Sequence, residues 1–424
     1  MLGLNRVINA VGQGGFYEER FYSGYKNIYN FVFDCGTANK QALFSDLIDK
    51  KNYKHIDLLC ISHFDNDHVS LLPNFLRGRH LDTIILPLVT DDVEFGVLLD
   101  IGSYSDETNS GDDIDDDFLN RIYNQYMMIY NTEEYINSII DGELKRIINI
   151  SPDRYKTDNV NFESISIDIL PKKSTQLSGC KFHSTQLFDK WIFRPINISF
   201  ADSSCSLKRD FIDRLFKLLD SSDNYKNKYM STNIKTLIGD AVRDKNLICL
   251  IRKAYHAVYN GSHKKMNDYS MALYSGLLYN KNPDIYVTYF KRRKYNAPHN
   301  IQKHMGIHHN RHYINATATQ KAGCLYLGDY NAKDYYAVLD HYFRHYARDY
   351  ILSLQIPHHG SIENWNNQLL GWAEDFFVSF GSNRYHHPSS HVLSDIMSNN
   401  KRVFEITHLK RSTLNYSIGM KSIN

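Results

Sequence analysis

The chain has 424 residues, of which 42% are hydrophobic and 23% are charged, and these proportions exclude an intrinsically disordered protein. Lys plus Arg (49) nearly balances Asp plus Glu (47), so any nucleic-acid-binding surface has to be a local patch. The first residues are too polar for a signal peptide, and no run approaches the ~18 apolar residues of a membrane span. We therefore expect a soluble, cytoplasmic protein without a membrane partner, whose scattered cysteines are reduced.

The first ninety residues predict strands that alternate with helices. Apolar runs bounded by polar residues indicate strands at 6–11, 29–33, 55–61 and 81–88. Helical patterns lie between them, near 40–50 and 69–76. This alternation is typical of an α/β fold.

Three regions interrupt this alternation and define the predicted domain organisation. Residues 1–171 form the first part of a core domain, with an acidic and then helical insertion at about 91–150. Residues 172–264 are interpreted as a helical insertion. Residues 265–424 form the second part of the core, with a basic, histidine-rich loop at about 291–318. The strand-like runs at 269–278 and 285–289 are interpreted as a hairpin.

A short run of metal-binding residue types follows the predicted strand at 55–61. His63, Asp65, Asp67 and His68 lie within six residues, and burying so many ionisable groups is costly unless something shares their charge. Imidazole and carboxylate groups are ligands of divalent metals. The run can serve two neighbouring ions, as two-metal hydrolysis requires. A solvated loop is the alternative, which the flanking strand and apolar helix disfavour.

Further His and Asp residues follow predicted strands near the end of the chain. Asp329, the pair His358 and His359, and His387 each come shortly after an apolar run. Each motif by itself is typical of a turn or of the surface. Together they predict one site, because strand ends converge on one edge of an α/β sheet.

At this point the sequence resembles a known family. The run His63-Phe64-Asp65-Asn66-Asp67-His68 resembles the HxHxDH signature of the metallo-β-lactamase superfamily, with Asp65 in place of the middle histidine. This HxDxDH variant is similar to the hydrolase domain of the ComEC-type competence proteins, although no counterpart of their transmembrane channel is seen. The other matching motifs are Gly12-Gln13-Gly14, Asp34-Cys35-Gly36, Asn267-Asp268-Tyr269-Ser270, Leu327-Gly328-Asp329, Pro357-His358-His359-Gly360-Ser361 and Asn383-Arg384-Tyr385-His386-His387-Pro388-Ser389.

The resemblance implies a metallo-β-lactamase αββα sandwich with a helical insertion and with one or two divalent ions, zinc or manganese. His63 and Asp65 would hold one ion, Asp67 and His68 would hold the other, and Asp329 would bridge them. The Asp at position 65 makes the site richer in oxygen, which leaves room for manganese.

The remaining ligands stay open at this stage. His359 is favoured over His358 as the last ligand of the second ion, and His387 is an alternative ligand or a group that contacts substrate. Many superfamily members supply one more histidine between the first motif and the bridging aspartate. The candidates for it are His183, His263 and the pair His308-His309.

The implied chemistry is hydrolysis by metal-activated water. Ions bridged by Asp329 would lower the pKa of a shared water towards ~7 and polarise a phosphoryl or carbonyl oxygen. Asp67 could also orient the water or carry a proton. Asp67, His68 and Asp329 are therefore the predicted catalytic residues, and no serine or cysteine motif indicates a separate nucleophile.

The predicted substrate is a nucleic acid, which makes the protein a nuclease or phosphodiesterase. The resemblance is to a branch associated with DNA, and Lys291, Arg292, Arg293 and Lys294 begin a basic segment suited to phosphate contacts. Two alternatives remain: a hydrolase of a lactone, thioester or cyclic nucleotide, and a component activated by a protein partner that docks on the helical insertion.

Overall fold

The structure, a computed structural model, describes most of the chain between residues 2 and 421. The residues outside the description are the segments 104–113, 153–162, 188–189, 198–204, 230–232, 260–269, 279–283, 290–316 and 382–386, the termini, and the single positions 40, 50, 52, 115, 173, 227, 320 and 348.

The described residues form a mixed α/β fold built on two sheets. The first sheet contains, in spatial order, β13 (Thr317–Thr319), β12 (Asp284–Tyr289), β18 (Leu414–Lys421), β1 (Leu2–Ile8), β2 (Phe16–Ser23), β3 (Lys26–Cys35), β4 (His55–Cys60), β5 (His80–Pro87), β6 (Arg146–Ile150) and β8 (Ser174–Leu177). The second contains β17 (Arg402–Ile406), β16 (Asp375–Ser379), β15 (Ile351–Gln355), β14 (Gly323–Tyr326), β11 (Ala272–Leu277), β10 (Trp191–Ile196), β9 (Cys180–His183) and β7 (Glu163–Ser166).

Each sheet has a parallel portion next to an antiparallel one. In the first sheet, β3, β4, β5, β6 and β8 run parallel to one another, as do β14, β15, β16 and β17 in the second. β4 is buried along nearly its whole length, which explains why its sequence is a continuous apolar run after the first residues. The carboxyl ends of these parallel strands provide the edge on which α/β folds build sites.

The two sheets pack face to face through aromatic side chains. Phe33 of β3 stacks on Tyr326 of β14, with their ring centroids 4.8 Å apart. Phe31 of β3 approaches Phe193 of β10, with a centroid distance of 4.7 Å. Aromatic pairs at such distances bury large apolar areas and restrict how the two sheets can slide over one another.

Helices cover the outer faces of both sheets. They are α1 (Ser45–Asp49), α2 (Asn66–Val69), α3 (Leu72–Leu76), α4 (Asp91–Ser103), α5 (Asp116–Tyr130), α6 (Thr132–Asn137), α7 (Cys205–Asp220), α8 (Ile234–Ala241), α9 (Lys245–Tyr259), α10 (Tyr336–Ala347) and α11 (Ser390–Ser398). Apolar residues of α3 to α9 share a buried cluster with the first sheet, and those of α10 and α11 join the cluster between and behind the sheets. None of the described helices has both the length and the apolar character that crossing a membrane requires.

The helices of the two predicted insertions pack on each other. α9 contacts both α4 and α7, and its buried residues follow the helical spacing of an amphipathic helix. A Cβ on Gly102 of α4 would lie 2.7 Å from Tyr255 of α9. This close approach explains a glycine inside a helix, where it otherwise costs stability.

The structure differs from the sequence prediction within residues 172–264. Residues 174–196 contribute β8, β9 and β10 to the sheets, so the helical part of this region begins only at α7. β6, at the end of the predicted 91–150 insertion, likewise belongs to the first sheet. These strands are only four to six residues long, so the helical pattern of the rest of the region concealed them.

Two local predictions were wrong. The strands predicted as a hairpin are β11 and β12, and they lie in different sheets. The single helix predicted near 69–76 is divided into α2 and α3, with Pro73 in the first turn of α3. Proline lacks a backbone N–H and is tolerated at the start of a helix but not in its interior.

Candidate metal centre

Loops from both sheets meet at one end of the core. His63 lies shortly beyond the end of β4 in the first sheet, whereas Asp329 and His359 follow β14 and β15 of the second. The two sheets are joined here by a backbone hydrogen bond of 2.8 Å from the N–H of Met271 to the carbonyl of Ser62. The strand ends that the sequence marked as polar therefore converge.

Close backbone contacts hold the HFDNDH segment in place. A Cβ on Gly36 would lie 2.5 Å from backbone atoms of both Asp67 and His68, so only glycine fits at this position. The N–H of Gly15 donates to the carbonyl of Asp67 at 3.0 Å. The two glycine-containing turns early in the sequence thus fix α2, and with it the side chains of Asp67 and His68.

Four side-chain atoms from these loops form a compact group. The Oδ1 atom of Asp329 lies 3.4 Å from Nε2 of His68 and 3.7 Å from Nε2 of His359. The Oδ2 atom of Asp67 lies 2.9 Å from Nε2 of His359 and 3.8 Å from Nε2 of His68. Bonds of about 2.0–2.2 Å to one tetrahedral ion place ligand atoms roughly 3.3–3.6 Å apart, so this group has the dimensions of a metal site.

A chain of hydrogen bonds orients His63 and His68. The Nδ1–H of His68 donates to Oδ2 of Asp34 at 2.8 Å. The hydroxyl of Ser62 donates to the same carboxylate at 2.8 Å and lies 2.9 Å from Nδ1 of His63, from which it can accept. Both imidazoles are therefore protonated on Nδ1, which leaves Nε2 as the atom available to a metal.

His359 is oriented in the same way from the second sheet. Its Nδ1–H donates to the backbone carbonyl of Ser379, at the end of β16, over 2.8 Å. Its Nε2 atom consequently faces Asp67 and Asp329. An imidazole whose distal nitrogen donates to a carbonyl or carboxylate is the usual arrangement of a metal-binding histidine.

A second group of ligand atoms adjoins the first. His63, Asp67 and His68 offer ligand atoms that all lie within 4.8 Å of one another, and the rings of His63 and His68 have centroids 4.0 Å apart. The Oδ2 atom of Asp65 lies 3.6 Å from Nε2 of His63. Asp67 and His68 belong to both groups of ligand atoms. The two groups together could therefore hold two neighbouring cations.

The site has an excess of buried negative charge. Burial acts to raise the pKa of Asp67, but the charges of His68 and His359 outweigh it and lower that pKa to about 2. Burial likewise opposes ionisation of Asp329, yet His358 and His359 hold its pKa well below the usual value. Both carboxylates are therefore ionised at neutral pH.

The histidines respond to the same charges in opposite ways. Burial lowers the pKa of His63 to about 4, assisted by the charge of His68. For His68, burial also acts to lower the pKa, but the carboxylates of Asp67 and Asp34 outweigh it and raise the pKa well above its ordinary value. Positive charge is thus strongly favoured at His68, between the carboxylates.

The chemistry of the donor set fits a divalent cation. The Nε2 atom of His68 is buried and makes no hydrogen bond to the described residues, although two carboxylate oxygens lie within 3.8 Å of it. A cation bound by this nitrogen and by the oxygens of Asp67 and Asp329 would balance the buried charge. Zinc and manganese both suit a mixture of imidazole and carboxylate ligands.

His358 and His387 lie beside the compact group. The Nδ1 atom of His358 is 3.2 Å from Oδ2 of Asp329, the carboxylate oxygen that faces away from His68. The ring of His387 lies 6.1 Å from that of His358. The structure therefore brings His359 into the four-atom group. It places His358 against the other carboxylate oxygen of Asp329, and His387 lies next to His358.

Other predicted positions lie elsewhere. Nδ1 of His183, in β9, lies 3.2 Å from the Ser164 hydroxyl, outside both ligand groups. His263, His308, His309 and Lys291, Arg292, Arg293 and Lys294 all lie outside the described residues.

Several residues of the site were not predicted from the sequence. Asp34 was noted only as part of a turn, yet it is fully buried and supports the imidazole of His68. The hydroxyl of Ser270 accepts the N–H of Asp329 at 3.0 Å. Asp100 of α4 also lies near the site: burial, with the charges of Asp65 and Asp67, raises its pKa to about 8. An isolated Asp within a helix carries no sequence signal for such a position.

Comparisons with known proteins add little to this geometry. No protein-family model matches the chain, and no curated protein matches it. Among solved structures, it is similar to a metallo-beta-lactamase fold protein, YhfI from Bacillus subtilis, with 22% sequence identity and a TM-score of 0.14. That likeness covers 20% of this chain and 38% of the other, and so it assigns neither a family nor a function.

Proposed function

We propose that the protein is a metal-dependent hydrolase of the metallo-β-lactamase fold that cleaves phosphodiester bonds in nucleic acid. The observation that carries the proposal is the gathering of Asp67, His68, Asp329 and His359 from three strand ends, with atoms 2.9–3.8 Å apart. The alternation of helices and two sheets around this site, and the ordered motifs that resemble the superfamily, support the same conclusion.

The proposed roles of the residues are those that the family resemblance implies. His63 and Asp65 would hold one divalent ion, Asp67, His68 and His359 a second, and Asp329 would lie between them. These residues would hold ions whose chemistry is the activation of water and the polarisation of a phosphoryl or carbonyl oxygen. Asp34 and the carbonyl of Ser379 keep the imidazoles aimed into the site, and Asp67 can orient the attacking water.

The choice of a nucleic acid rests on sequence features. The resemblance to the ComEC-type branch and the basic segment that begins with Lys291, Arg292, Arg293 and Lys294 both favour a phosphate-rich polymer. Lysine, arginine and aromatic residues interleaved along one segment suit phosphate contacts and base stacking.

A substrate panel tests the proposal. Purified protein is incubated with zinc or manganese and with single-stranded DNA, duplex DNA, RNA and cyclic nucleotides. We expect metal-stimulated cleavage of at least one polymer, and loss of that cleavage in Asp67→Ala and His68→Ala. The matched control is His256→Ala, an exposed histidine of α9, which should retain full activity. Cleavage that persists in both site variants would refute the proposal.

Two alternative functions give different results in the same experiment. For a hydrolase of a small ester or cyclic nucleotide, reversing the charges of residues 291–294 to glutamate leaves turnover unchanged, whereas a nuclease loses activity against polymers. For a component that needs a protein partner, the protein binds metal but cleaves nothing by itself. Activity then appears only when the partner that docks on the helical insertion is added.

A further inference from the structure

A repeated pattern lies at the opposite end of the strands that lead to the metal centre. β4 begins with His55-Ile56-Asp57 and β5 begins with His80-Leu81-Asp82. The two strands are parallel neighbours, and His55 pairs with His80 and Ile56 with Leu81. The two His-x-Asp sequences are therefore in register, which brings two imidazoles and two carboxylates together.

Three of these side chains already converge. The Nε2 atom of His55 lies 3.3 Å from Oδ2 of Asp82 and 3.6 Å from Oδ1 of Asp57. The three ligand atoms all lie within 4.8 Å of one another. The imidazole of His80 has its centroid 6.3 Å from that of His55, and its exposed side chain offers a fourth ligand after a rotamer change.

The existing contacts leave this group open to a cation. Asp57 is buried, and its Oδ2 atom accepts the N–H of Asn30 at 2.7 Å. Its Oδ1 atom points to His55 at a distance longer than a normal hydrogen bond. Oδ1 of Asp57 and Nε2 of His55 therefore face each other at 3.6 Å, a separation that two ligands of one tetrahedral ion would have.

The lysine that pairs with Asp82 is an exposed surface residue. The Nζ atom of Lys145 lies 2.8 Å from Oδ1 of Asp82, and the lysine side chain is 44% exposed. An exposed ion pair of this kind contributes little stability and is displaced readily. Lys145 leaves Oδ2 of Asp82, which faces His55, available to another ligand.

We propose that His55, Asp57 and Asp82 form a second binding site for a divalent transition-metal ion of the zinc type, separate from the metal centre. One imidazole and two carboxylates match the ligand preferences of zinc and cobalt. Water or His80 completes the coordination. The site is reached from solvent at the amino-terminal end of β4 and β5, so it can exchange metal independently of the metal centre.

Metal stoichiometry tests the proposal. The full-length protein is equilibrated with Zn²⁺, and bound zinc is measured by elemental analysis, with cobalt absorption as a second readout. We expect His55→Ala and Asp82→Asn each to lose about one equivalent of zinc relative to wild type, while any metal-dependent hydrolysis is retained. The loss of one equivalent should also appear in Asp67→Ala for the other site, and the two losses should add.

A second variant guards against a folding defect. Lys145→Ala removes a competing cation and should tighten zinc binding at this site by about two- to fivefold, the fold-change that corresponds to one exposed ion pair. The matched control is Lys333→Ala, another exposed lysine, whose pair with Glu363 spans 3.0 Å and whose removal should leave zinc binding unchanged. If stoichiometry is the same in wild type, His55→Ala and Asp82→Asn, or if Lys145→Ala does not tighten binding, the group is only an ion-pair network.

Discussion

Two clusters of charged side chains in this protein, the core ion pair and the metal centre, differ in how their charges are balanced. The first, which we call the core ion pair, lies between the sheets and consists of Arg6 and Glu19 with the hydroxyl groups around them. The Nε–H of Arg6 donates to Oε1 of Glu19 at 2.7 Å. The hydroxyls of Ser275 and Tyr326 donate to the same carboxylate at 2.6 and 2.9 Å. One positive and one negative charge are thus balanced by the chain itself.

The metal centre lacks such a balance. It brings the buried carboxylates of Asp34 and Asp329 and the partly buried carboxylate of Asp67 together with imidazoles. A buried charge is tolerated when it is paired or bound to a metal. The core ion pair is complete as folded, whereas the proposed metal centre would be completed by a cation.

The largest effect is expected from removal of the Asp329 carboxylate, which belongs to the ligand group with His68 and His359. In Asp329→Ala, the affinity for metal should fall by more than the roughly 10–100-fold that is lost when a residue supporting a ligand is removed. Hydrolysis should fall to background. Elemental analysis and the substrate panel measure the two quantities. A variant that keeps its metal and its activity would show that Asp329 is not a ligand.

Disruption of the core ion pair should lower the stability of the protein and leave its metal content unchanged. Arg6→Met leaves the Glu19 carboxylate buried without its partner, which should lower the free energy of unfolding by about 3–5 kcal/mol. Urea denaturation measures the change, and metal bound per folded molecule should stay at the wild-type value. Lys333→Met, at an exposed pair, is the control and should cost less than ~1 kcal/mol. Loss of metal in Arg6→Met would contradict the separation of the two clusters.

A second balanced cluster gives a pH test. Glu18 is buried, accepts from Asn9 at 2.8 Å and contacts Lys51 and Tyr53. Burial acts to raise the pKa of Glu18, but Lys51 and Arg20 outweigh it and lower that pKa below 4.5. Its contribution to stability is therefore present above pH 4.5 and lost as the pH falls through the lower, folded-state pKa.

Glu18→Gln should accordingly cost about 1.5–3 kcal/mol at neutral pH, the value of a hydrogen bond to a charged group. The difference from wild type should shrink as the pH is lowered below 4.5. Denaturation curves at several pH values, with a chelator present, check this. A difference that does not change with pH would mean that the charge of Glu18 is not stabilising.

The smallest effect should come from the residue that orients His68. In Asp34→Asn, the amide can still accept from the backbone N–H of Ser62, which now donates to Asp34 at 2.7 Å. Its NH₂ group then takes the place of Oδ2 and cannot accept the Nδ1–H of His68, so metal affinity should fall by about 10–100-fold. Competition with a chromophoric chelator measures it. Unchanged affinity would show that Asp34 supports only the backbone.

Much of the candidate site could be predicted because its residues form dense local motifs in the sequence. His63, Asp65, Asp67 and His68 form one dense run, and a polar residue directly after an apolar strand is a strong local signal. The glycine turns were also visible, and the structure gives their reason, which is the backbone approach at Gly36. Local signals of this kind survive without knowledge of the fold.

Other features depend on contacts that the sequence does not reveal. Asp34 and Ser379 reach the histidines across a loop and across the sheet edge, respectively, and neither lies in a dense motif. Asp100 approaches the site only because α4 packs beside it. β8 to β10 lie in a region that the sequence predicts to be helical, because pairing within the sheets outweighs the local pattern in these short segments.

The sequence by itself determined that this is an α/β protein with a His- and Asp-rich site at its strand ends, because periodicity and dense polar motifs are local properties. Only the tertiary structure decided which of two adjacent histidines faces Asp67, that Asp34 and Ser379 set the imidazole orientations, and that two His-x-Asp sequences lie side by side. These depend on strand register and on the packing of one sheet against the other, and the pairing partners that fix both are far apart along the chain.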